Sequence, residues 1–433
     1  MRVLVSGTGF TGLVAALVLA ADGHDVTMLG HPLAGGGSPS GTEHLDPVGA
    51  SHVLLPELLD VLARELPEPA RLLLFHGAQR VAPAGSDGAG GSLVISRERA
   101  RRILLVAASA APGLTLRLDD GIESLLTGRS RIAGRPHISG VLTTRGEAVF
   151  ADLVVDSRGD GSPIPGLLSD VGAPRPGEEY QDSGHRLYSV RFRVPEATAE
   201  ADPWTLTLRE GLWAASLASD GGWSLTLCTR DDDEPLYPLA GVAAWRRLVD
   251  LYRPSLLPRG AELLSGVCTT LRAESGWRRF VVGGEPIATG VMAVGEAWAT
   301  CHPLLGIAPS LGTAQALLLR DTLRTAPPGD ARATALLLDQ ATADVLLPVH
   351  QRAIGVETRF YDGAEAQVRT WPETIRCQDD GESALAVRTA AEREQPNHIL
   401  LSRALVRRLE ALQHSAGQRN LPSRRDLLQG LAG

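Results

Sequence analysis

The sequence predicts an α/β protein: a Rossmann-like dinucleotide-binding domain, an inserted antiparallel-sheet domain and a helical C-terminal region. Three observations predict it. An apolar strand, Arg2-Val3-Leu4-Val5-Ser6, runs into Gly7-Thr8-Gly9-Phe10-Thr11-Gly12. Between Leu187 and Thr229 the hydrophobic period drops to two. The last hundred residues return to helical periodicity. On this reading 1–183 form the first part of the dinucleotide domain with a helical insertion, and 184–275 form the antiparallel sheet. Residues 276–328 close the first domain, and 329–433 are helical.

Each element has a local cause. Gly7 permits a tight turn, Gly9 lets the backbone approach a pyrophosphate, and Gly12 lets helix and strand pack closely. The helix that follows, from about Leu13 to Asp22, turns its N-terminus to the phosphates. A second strand, Asp25-Val26-Thr27-Met28-Leu29, leads to Gly30. Leu54, Leu55, Leu58, Leu59 and Leu62 recur at helical spacing, so a helix runs to about Glu65 and Pro67 stops it. Residues 71–81 read as a strand, 82–91 as a glycine-rich turn, and 97–108 as a helix with an arginine-rich face.

Strands follow at 114–118, 140–144 and 152–156. Tyr188, Val190, Phe192 and Val194 then alternate with polar residues, and the runs from Trp204 and Trp223 continue the pattern. A helix at 243–252 and a strand at 266–273 come next. Gly290-Val291-Met292-Ala293-Val294 is apolar throughout, as a buried parallel strand requires. Helices are expected at 313–325, 331–347 and 398–413.

Composition excludes several functions. With 433 residues and a net charge of −8, the chain has no basic stripe of the kind nucleic acid demands. All 42 positive residues are arginine, which removes lysine Schiff-base chemistry. Cys228, Cys268, Cys301 and Cys377 are scattered, which suits reduced thiols in a cytoplasmic protein and no metal site. The first apolar run is the first strand of the fold, so it does not read as a signal peptide. No apolar stretch of about 20 residues exists to span a bilayer.

Two further motifs join the glycine loop. One is Asp156-Ser157-Arg158-Gly159-Asp160-Gly161, after an apolar strand. The other is Val294-Gly295-Glu296-Ala297, continuing through His302-Pro303-Leu304-Leu305-Gly306. In this order and spacing the three motifs resemble the flavoprotein monooxygenases of the para-hydroxybenzoate hydroxylase fold. The likeness is strongest to natural-product epoxidases and hydroxylases. It implies FAD as cofactor. It also implies cofactor-binding roles for Gly7, Gly9, Gly12, Arg97, Asp156, Gly159, Gly295, Glu296, Pro303 and Gly306. The helix carrying Leu54–Leu62 would cover the pocket.

The sequence departs from that pattern along one ligand path. Gly30 stands where the ribose-binding acid belongs. Ser157-Arg158 replace smaller residues, and Glu296 replaces Asp. Ala308 and Pro309 follow Gly306 where a second glycine is expected, adding a Cβ and removing an N–H. Three states of the cofactor stay open: FAD held through compensating residues, held weakly or kept as a structural part, or absent.

Two activities follow from the resemblance. The departures favour the first, non-redox ring closure (a four-plus-two cyclase, or Diels-Alderase) on a bulky apolar polyketide-like substrate, catalysed by proximity. The alternative is FAD-dependent epoxidation or hydroxylation of such a substrate with NAD(P)H and O2. Either would belong to secondary metabolism such as antibiotic biosynthesis. Tyr188, Trp204, Trp213 and Trp223, on the antiparallel sheet, are the candidates to line the substrate cavity. His185, His302 and Trp298 lie near motif ends. No catalytic residue is assigned.

Overall fold

A computed structural model of the protein describes residues 1–30, 51–76, 79–81, 92–180, 184–195, 204–219, 222–264, 266–272, 275–361, 366–369, 395–414 and 422–432. His31, the glycine-rich stretches 32–50 and 82–91, and Cys377 lie outside them.

The first domain is built on a parallel five-stranded sheet. β1 (Arg2–Ser6) lies at its centre, beside β2 (Asp25–Leu29) and the strand Leu153–Asp156. Leu114–Arg117 and Val291–Ala293 form the two edges. The registers pair Ser6 with Leu29 and Asp156, Leu29 with Arg117, and Asp156 with Ala293. The carboxyl ends of all five strands therefore open on one side, where ligands of such sheets bind.

Between β1 and β2 runs α1 (Phe10–Ala21), apolar almost throughout because it is buried between the sheet and the helix Ala308–Thr325. Thr11 sits at this junction. A Cβ on Gly295 would come 2.8 Å from its methyl, and one on Gly312 would come 2.0 Å from its hydroxyl. Gly295 also has φ +62°, and its N–H donates to the buried Gln315 side chain at 2.7 Å. These contacts fix the third motif against the glycine loop.

The antiparallel sheet follows the expected alternation. His185–Arg193, Gly222–Arg230, Leu212–Ser219 and Trp204–Arg209 pair in that order. Ala366–Arg369 adds an edge strand from the C-terminal region, so that region is not solely helical. One sheet face closes on the helix Val242–Leu256 through Phe192, Trp245 and Tyr252.

Elsewhere the structure corrects the expected elements. Pro67 begins a helix, Pro67–Phe75, that runs into the stretch from 71 where a strand was expected, and among the described residues of that stretch only Gln79–Val81 is extended. Proline suits a first helical turn, where its missing N–H would have no partner. In the C-terminal region Asn397–His414 packs on Pro56–Glu65 through Arg408, which donates to Glu57 at 2.7 Å and is almost wholly buried. Among the described residues no helix is long and apolar enough to cross a membrane.

Candidate ligand site

Two cavities meet at the carboxyl ends of the parallel strands. The outer groove, about 260 Å³, is lined by the loop Gly7–Gly9 and by Gly30, Asp120, Ser157, Arg158 and Glu296. The inner pocket, about 40 Å³, is lined by Arg97, Glu296, Cys301, Pro303, Gly306 and Pro309, with Ala215 and Leu217 from the antiparallel sheet. Glu296 lies on both, so it stands at the passage between them.

The glycine loop has the geometry its sequence requires. Gly7 is at φ +115°, and Gly12 lies so near the Gly7 carbonyl that a Cβ would come within 2.2 Å. Nothing lies within 4 Å of a Cβ on Gly9, which is the N-cap of α1 and offers no side-chain cap. The loop Gly7–Gly9 therefore borders the groove directly before the N-terminus of α1, the arrangement that receives a phosphate. Ser157 fits this loop: its hydroxyl donates to the Ser6 carbonyl at 2.8 Å.

Asp156 does a different task from the one the resemblance implies. Its Oδ1 accepts from the Arg158 N–H at 3.2 Å and its Oδ2 from the Ser162 hydroxyl at 2.6 Å. It lines neither cavity. Both oxygens are used in holding the turn that carries Gly159. Burial pushes its carboxyl up, against the pull of Ser162 and Arg158. Gly159, at φ +75°, lets the Glu296 side chain approach: a Cβ there would meet Glu296 Oε2 at 3.3 Å. Gly12 and Gly295 stand behind the cavity wall as close-packing positions.

Gly306 turns with φ +65° and leads into the helix Ala308–Thr325. Pro309 falls in the first turn, so the helix tolerates it, and the pocket wall has one amide donor fewer. Arg97 opens the helix Arg97–Ala110, capped by Ser96, which accepts from the Arg99 N–H at 3.2 Å. Beside it stands His52, a residue the sequence did not single out. Burial, and then the Arg97 charge, hold its imidazole well below the usual value. His52 comes from the strand Ser51–Leu54. That strand borders the pocket, whereas the expected helix cover, Pro56–Glu65, does not line it.

Of the four aromatic candidates, Tyr188 and Trp223 do not line the cavity. They point to the opposite sheet face and are buried in the core with Trp245 and Tyr252. The Trp223 indole donates to Ser216, whose hydroxyl donates to the Leu256 carbonyl. Trp213 is on the site face but spends its ring on His302, stacked at 3.9 Å. His302 Nδ1 accepts from the Leu304 N–H at 3.3 Å and caps the turn before Gly306. Trp204 is registered opposite Leu217; its side chain lies outside the described residues. The residues that do reach the pocket from this sheet are small or aliphatic, Ala215 and Leu217.

Behind the pocket, Glu357 is buried and accepts from the Ser275 hydroxyl at 2.7 Å. Burial raises its carboxyl to about 7, against hydrogen bonds from Ser275 and the His302 backbone. Burial also pushes the Cys301 thiol well up, with Glu357 and Glu296 adding to the shift.

This architecture is shared with known proteins. It is the fold of the flavoprotein monooxygenases. PqsL of Pseudomonas aeruginosa, a probable FAD-dependent monooxygenase, superposes with TM-score 0.58 at 18% identity, over 84% of this chain and 97% of its own. The Diels-Alderase PyrE3 of pyrroindomycin biosynthesis superposes with TM-score 0.57 at 17% identity, over 94% of this chain and 80% of its own. In sequence, the chain is 28% identical over 249 residues to protein Rv3254 of Mycobacterium tuberculosis, 54% of this chain and 50% of that protein. It is 31% identical over 173 residues to a kynurenine 3-monooxygenase of Salinispora arenicola, 36% of each. The matches thus span half or less of these curated relatives. No family model matches the chain.

Proposed function

We propose that this protein is an FAD-dependent monooxygenase acting on a small, largely apolar molecule. Continuity carries this reading: the phosphate-receiving loop, Glu296 and the apolar inner pocket form one path. The residues present fit the cofactor. The glycine loop before α1 suits its pyrophosphate, and Glu296, on both cavities, would meet the part of the cofactor that runs between them. Arg97, Pro303 and Gly306 line the inner pocket and would border the ring.

Bound there, FAD would supply two-electron chemistry with NAD(P)H and O2. The chain's own residues do the rest. Arg97 supplies a fixed positive charge. Ala215, Leu217 and Leu304 exclude water from the pocket and orient an apolar substrate. The amides after Gly9 and the Glu296 carboxylate would hold the dinucleotide by hydrogen bonds. The kynurenine 3-monooxygenase and PqsL likenesses support this reading.

One observation favours a second reading, ring closure of a polyketide-like substrate without redox chemistry. Ala308 and Pro309 wall the inner pocket, and Pro309 gives it no N–H. A site for ring closure needs only a shaped cavity, and the PyrE3 likeness supports it. Spectra and turnover separate the two. Flavin bands near stoichiometric occupancy with substrate-stimulated NAD(P)H oxidation are expected. Conversion of a linear polyene by the protein without reductant or O2 would overturn the monooxygenase reading.

A further inference from the structure

The end of β2 lacks a carboxylate, and the structure shows why one cannot simply be restored there. A Cβ on Gly30 would come 2.3 Å from the Thr8 methyl. Thr8 is held in place: Arg101 donates to its carbonyl at 3.1 Å and to its hydroxyl at 2.9 Å. Thr8 and Gly30 are thus a matched pair that closes the usual acid position.

A different carboxylate occupies the same rim. Asp120 follows the neighbouring strand, and its N–H donates to the Gly30 carbonyl at 3.2 Å. The side chain lines the outer groove yet is only 3% exposed. Its Oδ1 accepts from the Thr144 hydroxyl at 3.1 Å. That hydroxyl accepts in turn from the Gly121 N–H at 3.0 Å, so its single proton is directed to Asp120. Among the described residues no donor meets Oδ2. Oδ2 is thus left as a spare acceptor on a residue that lines the groove, and a ligand diol there would supply donors. The adjacent Asp119 differs: it is exposed and faces Arg145 at 3.7 Å.

We propose that Asp120, packed against Gly30 at the groove rim, accepts hydrogen bonds from the ribose hydroxyls of a bound adenine dinucleotide. It takes the place of the acid missing from β2. This rests on the nucleotide-site reading above. The carboxylate has moved from the end of one parallel strand to the loop after its neighbour.

The test is ADP binding, by calorimetry, to the full-length protein freed of any flavin. The wild type should bind ADP roughly 10–100-fold more tightly than 2′,3′-dideoxy-ADP, the worth of a charge-assisted hydrogen bond or two. Asp120→Asn, which keeps the shape and the Thr144 contact, should bind ADP about tenfold more weakly. It should also lose most of the discrimination, whereas Asp119→Asn should match the wild type. Equal wild-type binding of ADP and the dideoxy analogue would overturn the assignment and leave the nucleotide site standing. So would undiminished ADP binding by Asp120→Asn. No ADP binding by the wild type would remove the nucleotide-site reading and this assignment together. If Asp120→Asn does not fold, Asp120→Ser is measured in its place, with the same loss of discrimination expected and the same undiminished binding overturning the assignment.

Discussion

The two faces of the antiparallel sheet are made by alternate residues of the same strands, yet they are opposite in character. The face toward Val242–Leu256 is filled by Tyr188, Phe192 and Trp223, all buried in one closed core. The face toward the parallel domain carries one large aromatic, Trp213, stacked on His302, but otherwise smaller residues such as Ser189, Ala215, Cys228 and Thr226, with Leu217 at the pocket wall. Large aromatics stabilise the fold, and small residues leave room for a ligand. A cavity is found where side chains stop short: Tyr188 and Trp223 belong to the opposite face, and Trp213, though on the site face, is taken up by His302.

Four substitutions follow in falling order of effect, the first and last testing that division and the middle two testing the ligand site beside it. Trp223→Ala opens the closed core and should cost about 3–5 kcal/mol in urea unfolding, with flavin occupancy of the folded protein unchanged. A loss of flavin at full folding would show that the two faces are not separable.

Glu357→Gln comes next. A carboxyl that titrates near 7 when folded, against an ordinary 4.5, keeps a proton that the unfolded chain has released. Stability therefore falls as pH rises between these values, by up to about 3 kcal/mol at pH 8. The variant should show no such slope and be the more stable protein at pH 8. An unchanged pH profile would place the titration elsewhere.

At the far end of the ligand path, Gly30→Glu should destabilise the protein by about 1–3 kcal/mol, because the added side chain meets Thr8. Thr8→Ala in the same chain should recover most of that loss. Smallest is Ser189→Ala, which removes the 2.7 Å contact with the Thr226 hydroxyl on the site face. About 1 kcal/mol is expected in the same unfolding assay. A cost matching that of Trp223→Ala would mean that the site face bears as much of the packing as the core face.

Much of the fold was legible because its signals are local. The glycine loop, the apolar strands and the period-two runs each report conformation within a few residues. The cavity lining was legible where a motif sits at a strand end: Gly7, Gly9, Glu296, Pro303 and Gly306 all reach the two cavities. Asp156 was misread because a carboxylate at a strand end looks alike whether it faces a ligand or ties its own turn. His52 carried no motif. Asp120 sat in Asp119-Asp120-Gly121, which has the composition of an ordinary turn.

By itself the sequence determined that a dinucleotide fold is present and that the usual ribose acid is missing from β2. Both follow from near-neighbour rules: a glycine turn, a strand and a residue at its end. Only the tertiary structure decided what surrounds that position. Thr8 fills the space above Gly30, and parallel pairing of β2 with Leu114–Arg117 carries Asp120 to the same rim. These residues are some ninety positions apart in the chain. Their proximity is created by sheet pairing, which no local pattern encodes.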